Sequence, residues 1–159
     1  MRVRPLFIFD LDGTLALNEH RVPLLADKTD PQRWAKFFAA CVDDEPNVPV
    51  IRTLQSLAHY GEIWVWSGRS DEVREQTIAW LRKHGVFGAF WNVLRAPEQF
   101  RMRAAEDFTP DEKLKFSWLS EMEPPERDRL TAVFDDRDKV VKMWREAGVP
   151  CFQVAPGEF

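Results

Sequence analysis

Residues 5–21 read PLFIFDLDGTLALNEHR, and the first half of that stretch decides how the chain is built. Leu6, Phe7, Ile8 and Phe9 form an unbroken apolar run that leads straight into Asp10 and Asp12, with Gly13 and Thr14 turning the chain behind them. A short apolar run with a turn signal behind it reads as a buried strand. The start MRVRPLFIF carries a basic flank, but its apolar run stops at Asp10, so it reads as a first strand and not as a signal peptide. Two carboxylates one residue apart at the mouth of a core repel each other, and that repulsion is relieved when a cation sits between them.

Similar short apolar or β-branched runs predict strands at 62–66, 91–94, 130–134 and 151–154. Helical spacing of apolar residues predicts helices over 49–60, 71–84, 111–122 and 138–147. Strands alternating with helices indicate an α/β fold, a doubly wound parallel sheet of Rossmannoid type. Two segments fit less well: an excursion over 16–47, which holds RWAKFFAACVDDEP, and an arginine- and acid-rich loop over 96–110. Both leave from carboxyl ends of strands, the side on which open α/β sheets bind ligands. Neither is long enough for a second domain, so residues 1–159 read as one domain with a small cap.

Composition narrows the function. Apolar residues make up 45% of the chain, which predicts a packed globule, and no apolar stretch approaches the ~20 residues of a membrane span. A formal charge of −4 does not suit a protein that coats long nucleic acid, although a substrate gripped only at its end needs just a few local arginines. Cys41 and Cys151 lack metal-ligand spacing, and two lone thiols favour a reducing, cytoplasmic setting. His20, His59 and His84 show no ligand spacing either, and the tryptophans read as packing residues.

Four polar clusters follow the predicted strands or open the helix after the loop: Asp10 and Asp12; Ser67, Gly68 and Arg69 in WSGRSD; Lys115 with Lys113 beside it; and Asp135 and Asp136 in FDDRDK. Oxygen ligands without His or Cys suit Mg²⁺, which also binds substrate phosphate. One carboxylate can attack phosphorus and a second can protonate the leaving oxygen. A hydroxyl, backbone N–H groups and a lysine can hold the transferring oxygens. Any one of these clusters alone is an ordinary turn, loop, solvated lysine or helix cap. Their order, each in its place along the chain, points to phosphoryl transfer.

FDLDGTLA, WSGRS, the lysine after FTPDEKLK, and FDDRDK resemble the four motifs of haloacid dehalogenase (HAD) phosphatases. Over nearly the whole chain, DLDGTLALNEHRVP, SGRSDEVREQTIAWLRKHGV, MRAAEDFTPDEKLK and FDDRDKVVKMWREAGVPCFQVAPGEF are similar to the 3′-phosphatase domains of the T-even phage polynucleotide kinase type. No G-x-x-x-x-G-K-[ST] loop occurs, so 5′-phosphorylation is not expected of this chain. The resemblance implies a sheet order of 5-4-1-2-3, numbering the five predicted strands along the chain. It implies Asp10 as nucleophile and Asp12 as general acid/base, with Ser67 and Lys115 on the phosphoryl group. Mg²⁺ would be held by Asp10, Asp12 (through its backbone carbonyl), Asp135 and Asp136. Thr14, Arg21, Gly68, Arg69, Arg103 and Asp111 are the expected substrate contacts. The resemblance also implies Lys115 over Lys113, because D-x-x-P-D-x-x-x-K at Asp107, Asp111 and Lys115 matches the family's spacing. Glu106 stands where this family usually has Gly, and Thr109 where it often has Arg.

The expected function is therefore Mg²⁺-dependent hydrolysis of 3′-phosphates, and of 2′,3′-cyclic phosphates, on nucleic-acid ends, in company with a separate kinase or ligase. Its rivals are a phosphatase of mononucleotides or other small metabolites and a non-catalytic end-binding module. A phospho-acceptor receiver domain is disfavoured because its acidic pair comes first in the chain, whereas Asp135 and Asp136 come last.

Overall fold

The computed structural model describes residues 3–87 and 97–158. Its main sheet has five parallel strands: β1 (Leu6–Phe9), β4 (Glu62–Ser70), β5 (Phe100–Arg103), β6 (Leu130–Asp135) and β7 (Cys151–Gln153), in the order β5-β4-β1-β6-β7. β1 is central, and its four side chains are buried on both faces of the sheet. That is why the run is uniformly apolar and does not alternate with polar residues. Phe7 and Phe9 pack on one face with Ile51 and Leu54 of α2 (Val48–Ala58) and Ile78 and Leu81 of α3 (Arg74–Lys83). Leu6 and Ile8 pack on the other with Leu114 and Trp118 of α4 (Asp111–Ser120) and Val140 and Trp144 of α6 (Asp138–Glu146). On that second face Trp66 contacts Trp64, Trp118 and Trp144 at centroid distances of 6.0, 5.8 and 6.0 Å, so these tryptophans are core, as expected.

The sheet departs from expectation at one edge. The edge strand beside β4 is Phe100–Arg103, inside the stretch read as a loop, and the expected strand at 91–94 lies outside the described residues. Phe100 and Met102 are buried while Arg101 and Arg103 are half-buried. The run FRMR therefore alternates with the period of a strand packed on one face, and its charge density disguised it. β4 is also longer than predicted and runs on to Ser70, with a register break against β5 between Ser67 and Ser70. A short helix not expected from sequence, α5 (Pro124–Arg129), precedes β6.

The excursion after β1 is closed at its neck by two antiparallel strands, β2 (Ala16–Leu17) and β3 (Glu45–Pro46). Between them lie a 3₁₀ turn at Glu19–Leu25, α1 (Arg33–Ala39) and a second 3₁₀ turn at Ala40–Asp43. The returning chain is tied back by Asn47, whose Nδ2 donates to the Thr14 carbonyl at 2.9 Å and whose N–H donates to the Leu15 carbonyl at 2.8 Å. No described helix is long and apolar enough to cross a membrane.

Candidate active site

Parallel pairing of Phe9 with Phe134 sets the ends of β1 and β6 side by side, so Asp10 and Asp135 emerge together from the carboxyl edge of the sheet. Ligand oxygens of Asp10, Asp135 and Asp136 lie within 4.8 Å of one another. Lys115, buried on α4, donates from Nζ to Asp10 Oδ1 at 2.6 Å and to Asp135 Oδ2 at 2.7 Å. Lys113, two residues earlier on the same helix, is exposed, so packing decides which lysine reaches the site. Thr14 Oγ1 lies 3.3 Å from Asp10 Oδ2 and 3.4 Å from Asp136 Oδ1. Gly13 has φ +85°, and a Cβ there would fall 2.1 Å from Asp136 Oδ2, so this turn has no room for a side chain.

Charge and burial oppose each other here. Burial pushes the Asp10 carboxyl well above its ordinary value, Lys115 pulls it back, and Asp135 and Asp136 push it up again. Burial, then Asp135, pushes Asp136 up to about 6. Burial would lower the Lys115 pKa, but Asp10 and Asp135 outweigh it and hold the ammonium charged. Three buried carboxylates around one ammonium leave excess negative charge, and an all-oxygen donor set of this kind fits a hard divalent cation.

Asp12 belongs to a separate cluster. Its carboxylate accepts from Arg21 Nη2 at 2.5 Å and from Arg69 Nη2, with Arg69 Nε at 3.3 Å from Oδ2. Arg21 sits in the first 3₁₀ turn of the excursion and Arg69 near the end of β4, and both are fully buried. Burial alone would raise the Asp12 pKa; Arg69 and Arg21 reverse this and hold it below the usual carboxylate range.

Asp44 holds both arginines in turn and was not anticipated from sequence. Arg21 reaches it through Nε at 2.8 Å and Nη2 at 2.8 Å, Arg69 through Nη2 at 2.9 Å, and His20 through Nε2 at 2.8 Å. Its own carbonyl accepts from Trp80 Nε1 at 2.8 Å. In the sequence Asp44 looks like part of a solvated acidic run, DDE, and only closure of the excursion on the sheet buries it. Asp44→Ala leaves two buried guanidiniums short of a counter-charge. The expected result is a loss of about 3–5 kcal/mol in stability. Turnover below the variant's melting temperature should fall about 100-fold through misplacement of Asp12. Chemical denaturation and kcat on any accepted phosphate ester check both, and wild-type values in either would refute the role.

Ser67 is buried in the extended end of β4, and its Oγ accepts from the Arg69 N–H at 3.1 Å. Arg103 at the end of β5 donates from Nε to the Gly68 carbonyl at 2.9 Å and also grips Asp111. Asp111 opens α4 and accepts from Arg137 Nη1 at 2.6 Å. A Cβ on Gly68 would lie 2.5 Å from Asp111 Oδ1, so a side chain there would have to displace the carboxylate that Arg103 and Arg137 hold. The residues expected at the site thus fall into three groups at the carboxyl edge of the sheet: Asp10, Thr14, Lys115, Asp135 and Asp136; Asp12 in its clamp of Arg21 and Arg69, with Ser67 on the Arg69 N–H; and Gly68 with Arg103 and Asp111.

Comparison with known proteins identifies the family. The family described as the polynucleotide kinase PNKP phosphatase domain matches residues 5–159. The chain belongs to this family of HAD phosphatases. Over 143 residues it is 29% identical to a protein of Autographa californica nuclear polyhedrosis virus named for a bifunctional polynucleotide kinase/RNA ligase. That match covers 89% of this chain and 18% of the viral protein. It is 30% identical to a chain of the Pnkp1/Rnl/Hen1 complex, with a TM-score of 0.76, over 99% of this chain and 48% of that one. The class C acid phosphatase of Bacillus anthracis shares the fold, with a TM-score of 0.61 at 14% identity, over 99% of this chain and 68% of that one. The chain thus spans less than half the length of the first two relatives.

Proposed function

We propose that this chain is a Mg²⁺-dependent phosphomonoesterase that removes 3′-phosphate groups, 2′,3′-cyclic ones included, from nucleic-acid ends through an aspartyl-phosphate. The observation that carries the reading is the division of the site, with Asp10 beside Lys115 in one constellation and Asp12 clamped by Arg21 and Arg69 in the next. Asp10 is the nucleophile: a carboxylate oxygen bonds to phosphorus, the ester P–O bond breaks, and Asp12 gives its proton to the departing oxygen. Asp12, held as a carboxylate by its arginines, then takes a proton from water. The resulting hydroxide displaces Asp10 and releases inorganic phosphate. A phosphate dianion entering beside the guanidiniums offsets their pull, which raises the affinity of Asp12 for the proton it must carry in the first half. Lys115 and Ser67 hold the phosphoryl oxygens.

Asp10 and Asp135, with Asp136 and the Asp12 backbone carbonyl, would hold Mg²⁺. The ion would offset the charge of a phosphate entering a nest of carboxylates. The names of the similar proteins, a kinase/RNA ligase and a complex containing Pnkp1 and Rnl, support a place in nucleic-acid repair beside kinase or ligase activity. The free, buried thiols of Cys41 and Cys151 support a reducing, cytoplasmic setting.

A rate panel with and without Mg²⁺ tests this: a 3′-phosphorylated oligonucleotide against 3′- and 5′-mononucleotides. The oligonucleotide should be hydrolysed at least about tenfold more efficiently than the 5′-mononucleotide, and only with the metal present. Equal rates would move the assignment to a phosphatase of free nucleotides.

A further inference from the structure

The loop that joins β5 to α4 carries Phe108, the most exposed of the chain's large hydrophobic side chains that the structure describes, at 86% exposure. The backbone on either side of it is fastened. Arg103 Nη1 donates to the carbonyls of both Asp107 and Thr109, at 3.0 and 2.5 Å, and so brackets Phe108. Asp107 Oδ1 accepts from the Thr109 N–H at 2.9 Å, and Asp71 Oδ1 accepts from the Ala105 N–H at 2.9 Å. Glu106 is held at φ +64°. This is an uncommon setting for a residue with a Cβ, and it fixes the direction in which the loop departs. The same Arg103 that brackets Phe108 bonds the Gly68 carbonyl and the Asp111 carboxylate, so the loop is built into the rim of the site between Ser67 and the start of α4. Burial cannot explain an aromatic ring displayed in water on a fastened backbone, because the ring gains none.

The substrate reading supplies an occupant. The phosphoryl group must reach Asp10, which is nearly buried, while the rest of the substrate stays outside with its leaving oxygen near Asp12, the more open of the two carboxylates. A nucleotide leaving group places its base, a flat π-surface, at this rim. We infer that Phe108 is a specificity residue that stacks on the base of the 3′-terminal nucleotide. An aromatic platform grips every base through its π-face and needs no hydrogen-bond readout, which suits an enzyme that meets ends of any sequence. Near Phe108 the loop offers Thr109 and Pro110 in place of further cations, so grip on the end comes from the base more than from added phosphate contacts.

This inference rests on the nucleic-acid reading above, and one experiment separates the two. Wild type, Phe108→Ala and Phe108→Trp are compared on three substrates: an oligonucleotide with a normal 3′-phosphorylated terminal nucleotide, the same oligonucleotide with an abasic 3′-phosphorylated terminus, and glycerol phosphate, which has no base. Wild type should lose about tenfold in kcat/KM, through KM, when the terminal base is removed. Phe108→Ala should show that loss already on the normal end and be indifferent to the base, while Phe108→Trp keeps the wild-type preference. All three should hydrolyse glycerol phosphate alike. If Phe108→Ala discriminates base from abasic end as well as wild type does, the stacking role is overturned and the nucleic-acid reading stands. If Phe108→Ala loses glycerol phosphate hydrolysis equally, the residue is structural and the inference fails. If wild type hydrolyses glycerol phosphate but neither oligonucleotide, the nucleic-acid reading fails and this one with it.

Discussion

Asp10→Asn should give a folded protein whose turnover is at least about 10⁴-fold below wild type. The amide keeps the shape of the carboxylate but has no charged oxygen to attack phosphorus, and no neighbour can replace it. Asp135 and Asp136 lie within 4.8 Å but are the residues assigned to the metal, and Asp12 is turned to its arginines. The substitution also removes one of three mutually repelling carboxylates from a buried site, so thermal unfolding in EDTA should occur at the wild-type temperature or above it. Turnover and melting measured on one preparation separate loss of chemistry from loss of fold. Activity within tenfold of wild type would remove Asp10 from the nucleophile's role.

Lys115→Met should cost less turnover than Asp10→Asn but damage the fold more. It deletes the ammonium that contacts Asp10 and Asp135 at 2.6 and 2.7 Å and leaves the carboxylates buried without that partner. Breaking a buried pair from one side destabilises by about 3–5 kcal/mol. Loss of a cation at the transferring phosphoryl group lowers kcat by about 10²–10³-fold. The two effects should respond differently to metal. Mg²⁺ added to the variant supplies positive charge to the same oxygens, so it should raise the melting temperature of Lys115→Met more than that of wild type, while kcat stays low. A variant as stable as wild type in EDTA, or one indifferent to Mg²⁺, would show that the lysine and the metal do not share those carboxylates.

Much of the site was legible in the sequence because its parts sit where strands end. The run Leu6–Phe9 could only be a buried strand, and the position of Asp10 followed from it. Asp135 was placed in the same way by the strand before it. The lysine needed tertiary packing to settle: Lys113 and Lys115 differ only in which side of α4 they occupy, and burial against the sheet selects the second. β5 was hidden because its arginines mask a period-two pattern that Phe100 and Met102 carry alone. Asp44 was illegible for a deeper reason. Its partners lie 23, 24, 25 and 36 positions away, and no local pattern encodes a carboxylate whose contacts are made with two distant guanidiniums.

Arg21 and Asp44 both lie in the excursion over 16–47, and each is paired with a side chain at the sheet's edge: Arg21 with Asp12, and Asp44 with Arg69. The excursion and the sheet are therefore fastened by a crossed latch, in which each side supplies one positive and one negative jaw. Such a latch carries little net charge whether open or shut, so lifting the excursion does not leave either surface strongly charged as a whole. It does strip Asp12 of one of its two guanidiniums. The seating of the excursion and the acidity of Asp12, the residue proposed to carry the proton, are thus set by one and the same pair of contacts.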